Sequence, residues 1–295
     1  MNANSSLPAL TIDDWLRQAT TRLNSADIPS ARLDSLIMLE TILGHERSWL
    51  LAHGEQELKA RQLGRLNTLL NNRAQRQPLA YLLGHKMFYG RDFVVNANVL
   101  IPRPETETLI ELTKEVLHHS SPASKKAWKL MDVGAGSGCI AITIALQAGA
   151  AREWRLDEPV EIIGGDISAD ALATARLNAR RLGAAVRFIQ SDLLERAPQQ
   201  LDIIIANLPY VDPDWERSPE TAYEPTIALF ADRNGLALIE QLLSQAPHHL
   251  VANGYLLLEA DPMQHPAIIT AAKQHGLLLR DQQDYCLVFR LQPVA

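Results

Sequence analysis

Lys129-Leu130-Met131-Asp132-Val133-Gly134-Ala135-Gly136-Ser137-Gly138-Cys139 decides the fold. An apolar run holding an acid near its end reads as a buried strand, and three glycines at alternate positions read as a tight turn. The apolar, alanine-containing run Cys139–Ala148 then reads as a helix. Such a strand, turn and helix start bring backbone amides toward a ligand with no side chains in the way. The spacing is GxGxG, not the GxGxxG dinucleotide fingerprint. A purely structural turn is the simpler alternative. Its place at the first strand of an α/β region favours a nucleoside-cofactor site built from Gly134, Ala135, Gly136, Ser137 and Gly138.

Downstream, strand and helix alternate. Strands are expected at Glu161–Asp166, Val186–Gln190, Asp202–Ala206, Tyr255–Glu259 and Leu287–Leu291. Helices are expected at Ala169–Leu182, Leu236–Gln245 and Pro266–His275, the second stopping before Pro247, which cannot continue it. This alternation predicts a mostly parallel sheet covered on both faces. Residues Ala151 to Pro159 read as a charged surface loop.

Upstream the period changes. Thr11 is placed to cap a helix starting at Ile12, with Asp13 and Asp14 in its first turn. Leu33, Leu36, Leu39 and Leu43 recur on one helix face before a stop at Gly44. A third helix fits Gln56 to Gln75, with Leu58, Leu63, Leu66 and Leu70 inward, until Pro78 breaks it. From Met87 the β-formers Phe88, Phe93, Val94, Val95, Val99 and Leu100 are interrupted by the turn-prone Gly90-Arg91-Asp92 and Asn96-Ala97-Asn98, which reads as a hairpin. Glu105 to His118 is expected to be helical and Ser120 to Ser124 a loop. The expected organisation is a helical domain over 1–80, a hairpin linker over 81–104 and a catalytic α/β domain over 105–295.

Composition excludes several classes. With 295 residues the chain can bury a sizeable core. A formal net charge of −6 provides no global basic field for nucleic acid. Arg61, Arg65, Arg73 and Arg76 recur along one stretch, and a solvated helix face is the expected reading. Cys139 and Cys286 lie far apart and lack a CxxC partner, which argues against a disulfide framework and a structural zinc site. The amino terminus lacks a signal-peptide pattern, and no apolar run approaches the ~20 residues of a membrane span. A cytoplasmic location is the default. The histidines show no metal-binding spacing, and Ser137 lies outside any nucleophile-elbow pattern.

Three further elements carry chemistry. Asp166 ends the expected second strand, where a carboxylate can accept from ribose hydroxyls; Ser168 is the better cap for the next helix. After the third strand, Asp192 can accept from an adenine amino group and Leu193 can lie against the ring, though a solvated loop is an equal alternative. After the fourth comes Asn207-Leu208-Pro209-Tyr210. Methylating a planar nitrogen is difficult because its lone pair is delocalised. A site helps by accepting both N–H bonds, which orients the nitrogen and supports its developing positive charge. The Asn207 amide oxygen and the Leu208 carbonyl are the two expected acceptors, with Pro209 stiffening the turn and Tyr210 as an aromatic wall. Taken in order, the elements point to methyl transfer from S-adenosylmethionine.

The chain resembles the HemK/PrmC family of class I methyltransferases, which modify glutamine in peptide-chain release factors. The resemblance covers most of the chain. It rests on Pro78-Leu79-Ala80-Tyr81-Leu82-Leu83-Gly84, Phe88-Tyr89-Gly90, Ile101-Pro102-Arg103-Pro104-Glu105-Thr106-Glu107, Asp132 to Gly138 and Asn207 to Tyr210. Glu224-Pro225, Ala228-Leu229-Phe230 and Asn234-Gly235-Leu236 complete it. It implies a Rossmann-like catalytic domain using S-adenosylmethionine, preceded by a small all-α domain that helps bind a protein substrate. The implied substrate is the Gly-Gly-Gln glutamine of class I release factors, with no membrane partner and no direct nucleic-acid binding. Three departures stand out. Leu208 replaces the family's proline, a form shared with rRNA adenine dimethyltransferases. Leu193 replaces an aromatic near the adenine, and Asp281 to Arg290 lacks the expected Gly-rich turn. A ribosomal-protein glutamine, an rRNA adenine and a non-catalytic binding module stay open as alternatives.

Overall fold

The computed structural model describes residues 10–119, 127–149, 154, 156 and 158–293. The expected loop Ser120–Ser124 lies outside these residues, as does most of Ala151–Pro159. The chain divides into two compact units. One is Met1–Gly84 with Ser218–Tyr223, and the other is His85–Arg217 with Glu224–Ala295.

The first unit is helical: α1 (Ile12–Asn24), α2 (Ala31–Leu43), α3 (Arg47–Ala52), α4 (Ala60–Ala74) and α5 (Leu79–Leu83). Thr11 and Asp14 form a reciprocal capping box at α1, and Gly44 closes α2 in the left-handed conformation (φ 72°). Leu33 is exposed, against expectation, because the buried face of α2 is set by Ala31, Ser35, Met38 and Leu39. The helix expected from Gln56 starts only at Ala60. Glu57 instead pairs with Thr11, and the Leu58 amide donates to the Leu10 carbonyl at 2.9 Å, so this stretch is extended.

Arg73 also departs from the solvated-face reading. It is buried, its Nε donating to Asp34 at 2.7 Å and its Nη1 to Glu220 at 2.9 Å. Arg76 reaches the other Glu220 oxygen at 2.8 Å. A buried guanidinium needs such carboxylates to offset its desolvation. Burial pushes the Glu220 carboxyl up, but hydrogen bonds from Ser218, Arg76 and Arg73 outweigh it and hold the group at about 2. Arg61 and Arg65 are exposed, as expected.

The second unit opens with a hairpin, β1 (His85–Phe88) and β2 (Arg91–Val94). Its turn is Tyr89-Gly90, both at positive φ (47° and 71°), so Arg91 and Asp92 belong to the strand rather than the expected turn. The helix α6 (Glu107–His119) follows a short 3-10 turn over Pro104–Thr106. Then come β3 (Trp128–Val133), α7 (Cys139–Ala148), β4 (Val160–Asp166), α8 (Ala169–Leu182), β5 (Arg187–Gln190) and β6 (Leu201–Ala206). The chain continues through α9 (Ala237–His249), β7 (Leu250–Glu259), α10 (His265–Gln274), β8 (Leu277–Gln283) and β9 (Cys286–Leu291).

These strands form one seven-stranded sheet in the order β5-β4-β3-β6-β7-β9-β8. Strands β3 to β7 pair in parallel, and β9 is antiparallel to both β7 and β8. Strand β8 was not expected from the sequence, because its second half, Arg280-Asp281-Gln282-Gln283, is polar and exposed. Helix α9 runs through Pro247 to His249, against the expected stop. Proline there forfeits only the bond to the carbonyl four residues back, and two residues remain before the helix ends. The core lies on both faces of the sheet, with Ile140, Ile142 and Ile144 of α7 in one cluster and Ile239, Leu242 and Leu243 of α9 in the other. Among the described residues, no helix is long and apolar enough to cross a membrane.

Candidate active site

The chain order reverses at β3, whose neighbours are β4 on one side and β6 on the other. Ligands bind α/β sheets in the crevice beyond the carboxyl ends of strands at such a point. A cleft of about 280 Å³ lies there, within the second unit. Of the residues expected from sequence, Gly134, Ala135, Gly136, Ser137, Asp166, Asp192, Leu193, Asn207, Leu208 and Pro209 all line it. Gly138 and Tyr210 do not.

The glycine turn is shaped by backbone. Gly134 has φ 77° and Gly136 has φ 53°, a region that side chains disfavour. A Cβ on Gly134 would stand 3.1 Å from the Leu208 side chain and 3.5 Å from the Asn207 carbonyl, so the turn and the Asn207 segment abut. Gly138 serves packing instead: a Cβ there would come within 2.8 Å of Ile142 and 3.2 Å of Ala175 and Phe188. Asn178 of α8, fully buried, secures the turn by donating to the Ser137 carbonyl at 2.9 Å and to the Val94 carbonyl at 3.0 Å. No motif in the sequence announces it.

Asp166 accepts from the Gly136 amide and from the Ser168 amide, both at 2.8 Å. A carboxylate offers about four acceptor positions, so capacity remains for ribose hydroxyls. Burial raises its pKa, opposed by these amide bonds. Ser168 caps α8 as expected, accepting from the Ala171 amide at 3.2 Å. Asp132, 1% exposed, accepts from the Ala141 amide at 3.1 Å, while its other oxygen has no hydrogen-bond partner. Burial pushes Asp132 up to about 7; the Ala141 amide opposes this and the nearby Asp166 adds to it.

The Asn207 turn is held by residues distant in sequence. Asn207 Nδ2 donates to Thr106 Oγ1 at 2.9 Å, leaving Oδ1 uncommitted among the described residues. The Tyr210 hydroxyl donates to Glu259 at 3.1 Å, and the Tyr210 carbonyl accepts from Gln264 at 2.9 Å. Burial, then the Glu259 charge, push the Tyr210 phenol above its ordinary range. Glu259 is itself 1% exposed and its pKa is raised, chiefly by burial. Gly235 packs against the Tyr210 carbonyl, where any Cβ would stand 2.0 Å from that oxygen. The Leu229 carbonyl accepts from the Val211 amide at 3.0 Å.

Two sequence signatures meet here. Arg103 donates to Glu224 at 2.5 Å, and the second Glu224 oxygen accepts the Ile101 amide at 3.3 Å. The Arg103 to Thr106 stretch is thereby tied to the edge of the cleft that both residues line. Thr106, Glu224, Glu259 and Gln264 carried no role in the sequence reading. Thr106 and Glu224 stood inside the quoted signatures, whereas Glu259 and Gln264 had no local signal.

The arrangement fits a nucleoside cofactor with a reacting group between the glycine turn and Asn207. The glycine cradle would be filled by any Cβ at Gly134, and Asp166 keeps acceptors for ribose. When bound, S-adenosylmethionine supplies an electrophilic methyl group on a sulfonium.

Comparison with known proteins agrees. Residues 14–84 match the PrmC N-terminal domain, and residues 124–274 match a methyltransferase domain. A release factor glutamine methyltransferase of Koribacter versatilis is 37% identical over 86% of this chain and 89% of its own. The Escherichia coli protein of that name is 34% identical over 86% of this chain and 87% of its own. Among solved structures, a methyltransferase from Pyrococcus furiosus is 16% identical with a TM-score of 0.50, covering 80% of this chain and 100% of its own, a likeness of fold. Shared identity along nearly the whole length places the chain in the release factor glutamine methyltransferase family.

Proposed function

We propose that this enzyme transfers a methyl group from S-adenosylmethionine to the side-chain amide nitrogen of a glutamine in a peptide-chain release factor. The finer assignment is the Gly-Gly-Gln glutamine of class I factors. One observation carries the reading: Asn207, its amino group committed to Thr106, keeps its amide oxygen for the cleft that the glycine turn also lines. Asn207 Oδ1 accepts one N–H of the substrate amide and the Leu208 carbonyl accepts the other. The two acceptors orient the nitrogen toward the methyl group and support the positive charge that grows on it. Gly134, Gly136 and Asp166 hold the cofactor, and Asp192 and Leu193 take its base.

The helical domain, over residues 1–80, is assigned to selecting the protein substrate. The formal charge of −6 supports a protein partner over a nucleic acid. A partner in translation would place the enzyme in the cytoplasm. Incubation with labelled S-adenosylmethionine and, separately, release factor, ribosomal protein and rRNA tests the reading, with mass spectrometry locating the label. Label on the Gly-Gly-Gln glutamine is expected. Label on rRNA adenine, with release factor untouched, overturns it.

A further inference from the structure

Glu259 ends β7 beside β6, where Ala206 pairs with Leu258 and Asn207 and Glu259 come next on their strands. It is a carboxyl buried to 1% exposure with one oxygen bonded to the Tyr210 hydroxyl and the other without a hydrogen-bond partner among the described residues. Thr106 Oγ1 already accepts from Asn207, so the Thr106 hydroxyl proton must go elsewhere. The unpartnered Glu259 oxygen is an acceptor close by, and Thr106, Tyr210 and Asn207 favour its charged form against the burial that raises its pKa.

We propose that Glu259 is a positioning residue that, through Thr106, sets which end of the Asn207 amide faces the substrate. The proposal rests on the glutamine-methylation reading above. A carboxylate only accepts, so the chain Asn207 N–H to Thr106 O–H to Glu259 has a single polarity. That polarity commits Asn207 Nδ2 and leaves Oδ1 for the substrate N–H. With no acceptor-only terminus, Thr106 can donate to a turned Asn207 oxygen, and Asn207 then presents an amino group to a substrate amino group. The same side chain holds Tyr210 through its hydroxyl, so one buried carboxyl orients both the acceptor and the aromatic residue of the turn.

Three single variants test this in the full-length enzyme. Glu259→Gln keeps shape but adds a donor, Thr106→Val cuts the chain in the middle, and Thr106→Ser keeps it. Glu259→Gln and Thr106→Val should each lower kcat about 10- to 100-fold, with the release-factor KM and the cofactor Kd moving less than about threefold. Thr106→Ser should recover most of the kcat lost in Thr106→Val. The Glu259→Gln/Thr106→Val double variant should be little slower than either single, because both break one chain. In wild type, NMR of asparagine side-chain amides should show one Asn207 Nδ2 proton protected from exchange, and both variants should lose that protection. Unchanged kcat in folded Thr106→Val, additive losses, or Thr106→Ser as slow as Thr106→Val would overturn the proposal. If wild type methylates no release factor, the functional reading fails instead, and the NMR protection still decides the orientation of Asn207.

Discussion

The two walls of the cleft are made differently. On the glycine side backbone geometry does most of the shaping: Gly134 and Gly136 sit at positive φ, Asp166 is pinned by backbone amides, and the one distant side chain, Asn178, bonds to a backbone carbonyl of the turn. On the Asn207 side, the turn depends on side chains from far along the chain: Thr106, Glu259 and Gln264. A wall of the first kind should fail through cofactor binding. A wall of the second kind should fail through the rate of the chemical step while the cofactor stays bound.

The largest effect should come from Asn207→Ala. Loss of one acceptor for a developing charge costs roughly 2.7–4 kcal/mol of barrier, or about 100- to 1,000-fold in kcat. Methyl transfer measured at saturating cofactor should show the whole loss, with cofactor affinity held. A drop in affinity of similar size would merge the two walls into one.

Next comes Asp166→Ala, which belongs to the glycine side. It should weaken S-adenosylmethionine binding by ~1–3 kcal/mol, the range for a lost charge-assisted hydrogen bond. Calorimetry should register this, and saturating cofactor should restore much of the rate. Unchanged affinity in a folded variant would remove Asp166 from the ribose role.

This difference between the walls also explains what could be read in advance. Gly134, Asp166 and Ser168 were legible because a turn, a strand end and a cap are local events whose residue types follow from backbone geometry. Asn207 was legible as a motif, but its control was not. Glu259 sits in the apolar run Leu256-Leu257-Leu258-Glu259-Ala260, where nothing in the order of residues says that the acid is buried. Only the pairing of β7 beside β6 brings it to the turn. Strand β8 escaped notice for the opposite reason: as an edge strand it is half solvated and lacks an apolar run. The GxGxG pattern points Gly138 at a ligand, but close packing against Ile142, Ala175 and Phe188 demands the same residue type.

Asp132 sharpens the comparison through stability. Burial lifts its folded pKa to about 7, well above the ordinary carboxylate value of 3.8. The folded chain therefore holds a proton that the unfolded chain releases, and the stability from that proton is complete below about pH 4. It is lost as pH rises through about 7. Asp132→Asn, which cannot ionise, should raise the Tm of the cofactor-free enzyme at pH 8, by the equivalent of ~1–2 kcal/mol. Thermal melts should show the gain shrinking toward zero near pH 4. A gain that persists unchanged at low pH would trace the effect to packing rather than to a buried charge.

The smallest expected effect is the most discriminating. Leu208 stands where the family carries proline, and its side chain packs over Gly134, buried to 5% exposure. If position 208 works through its backbone carbonyl, the side chain should matter only for the stiffness of the turn and its contact with the glycine loop. Proline keeps the carbonyl, stiffens the turn and removes part of that contact. Leu208→Pro should therefore leave kcat within roughly tenfold of wild type, or ~1.4 kcal/mol of barrier. Because Leu208 touches both walls, the variant also shows how tightly they are coupled. A modest change in kcat with cofactor affinity intact keeps the walls separate. A loss as large as that of Asn207→Ala would mean that the leucine side chain itself seats the acceptor carbonyl, and the division between a backbone-made wall and a side-chain-made wall would fall at the point where they meet.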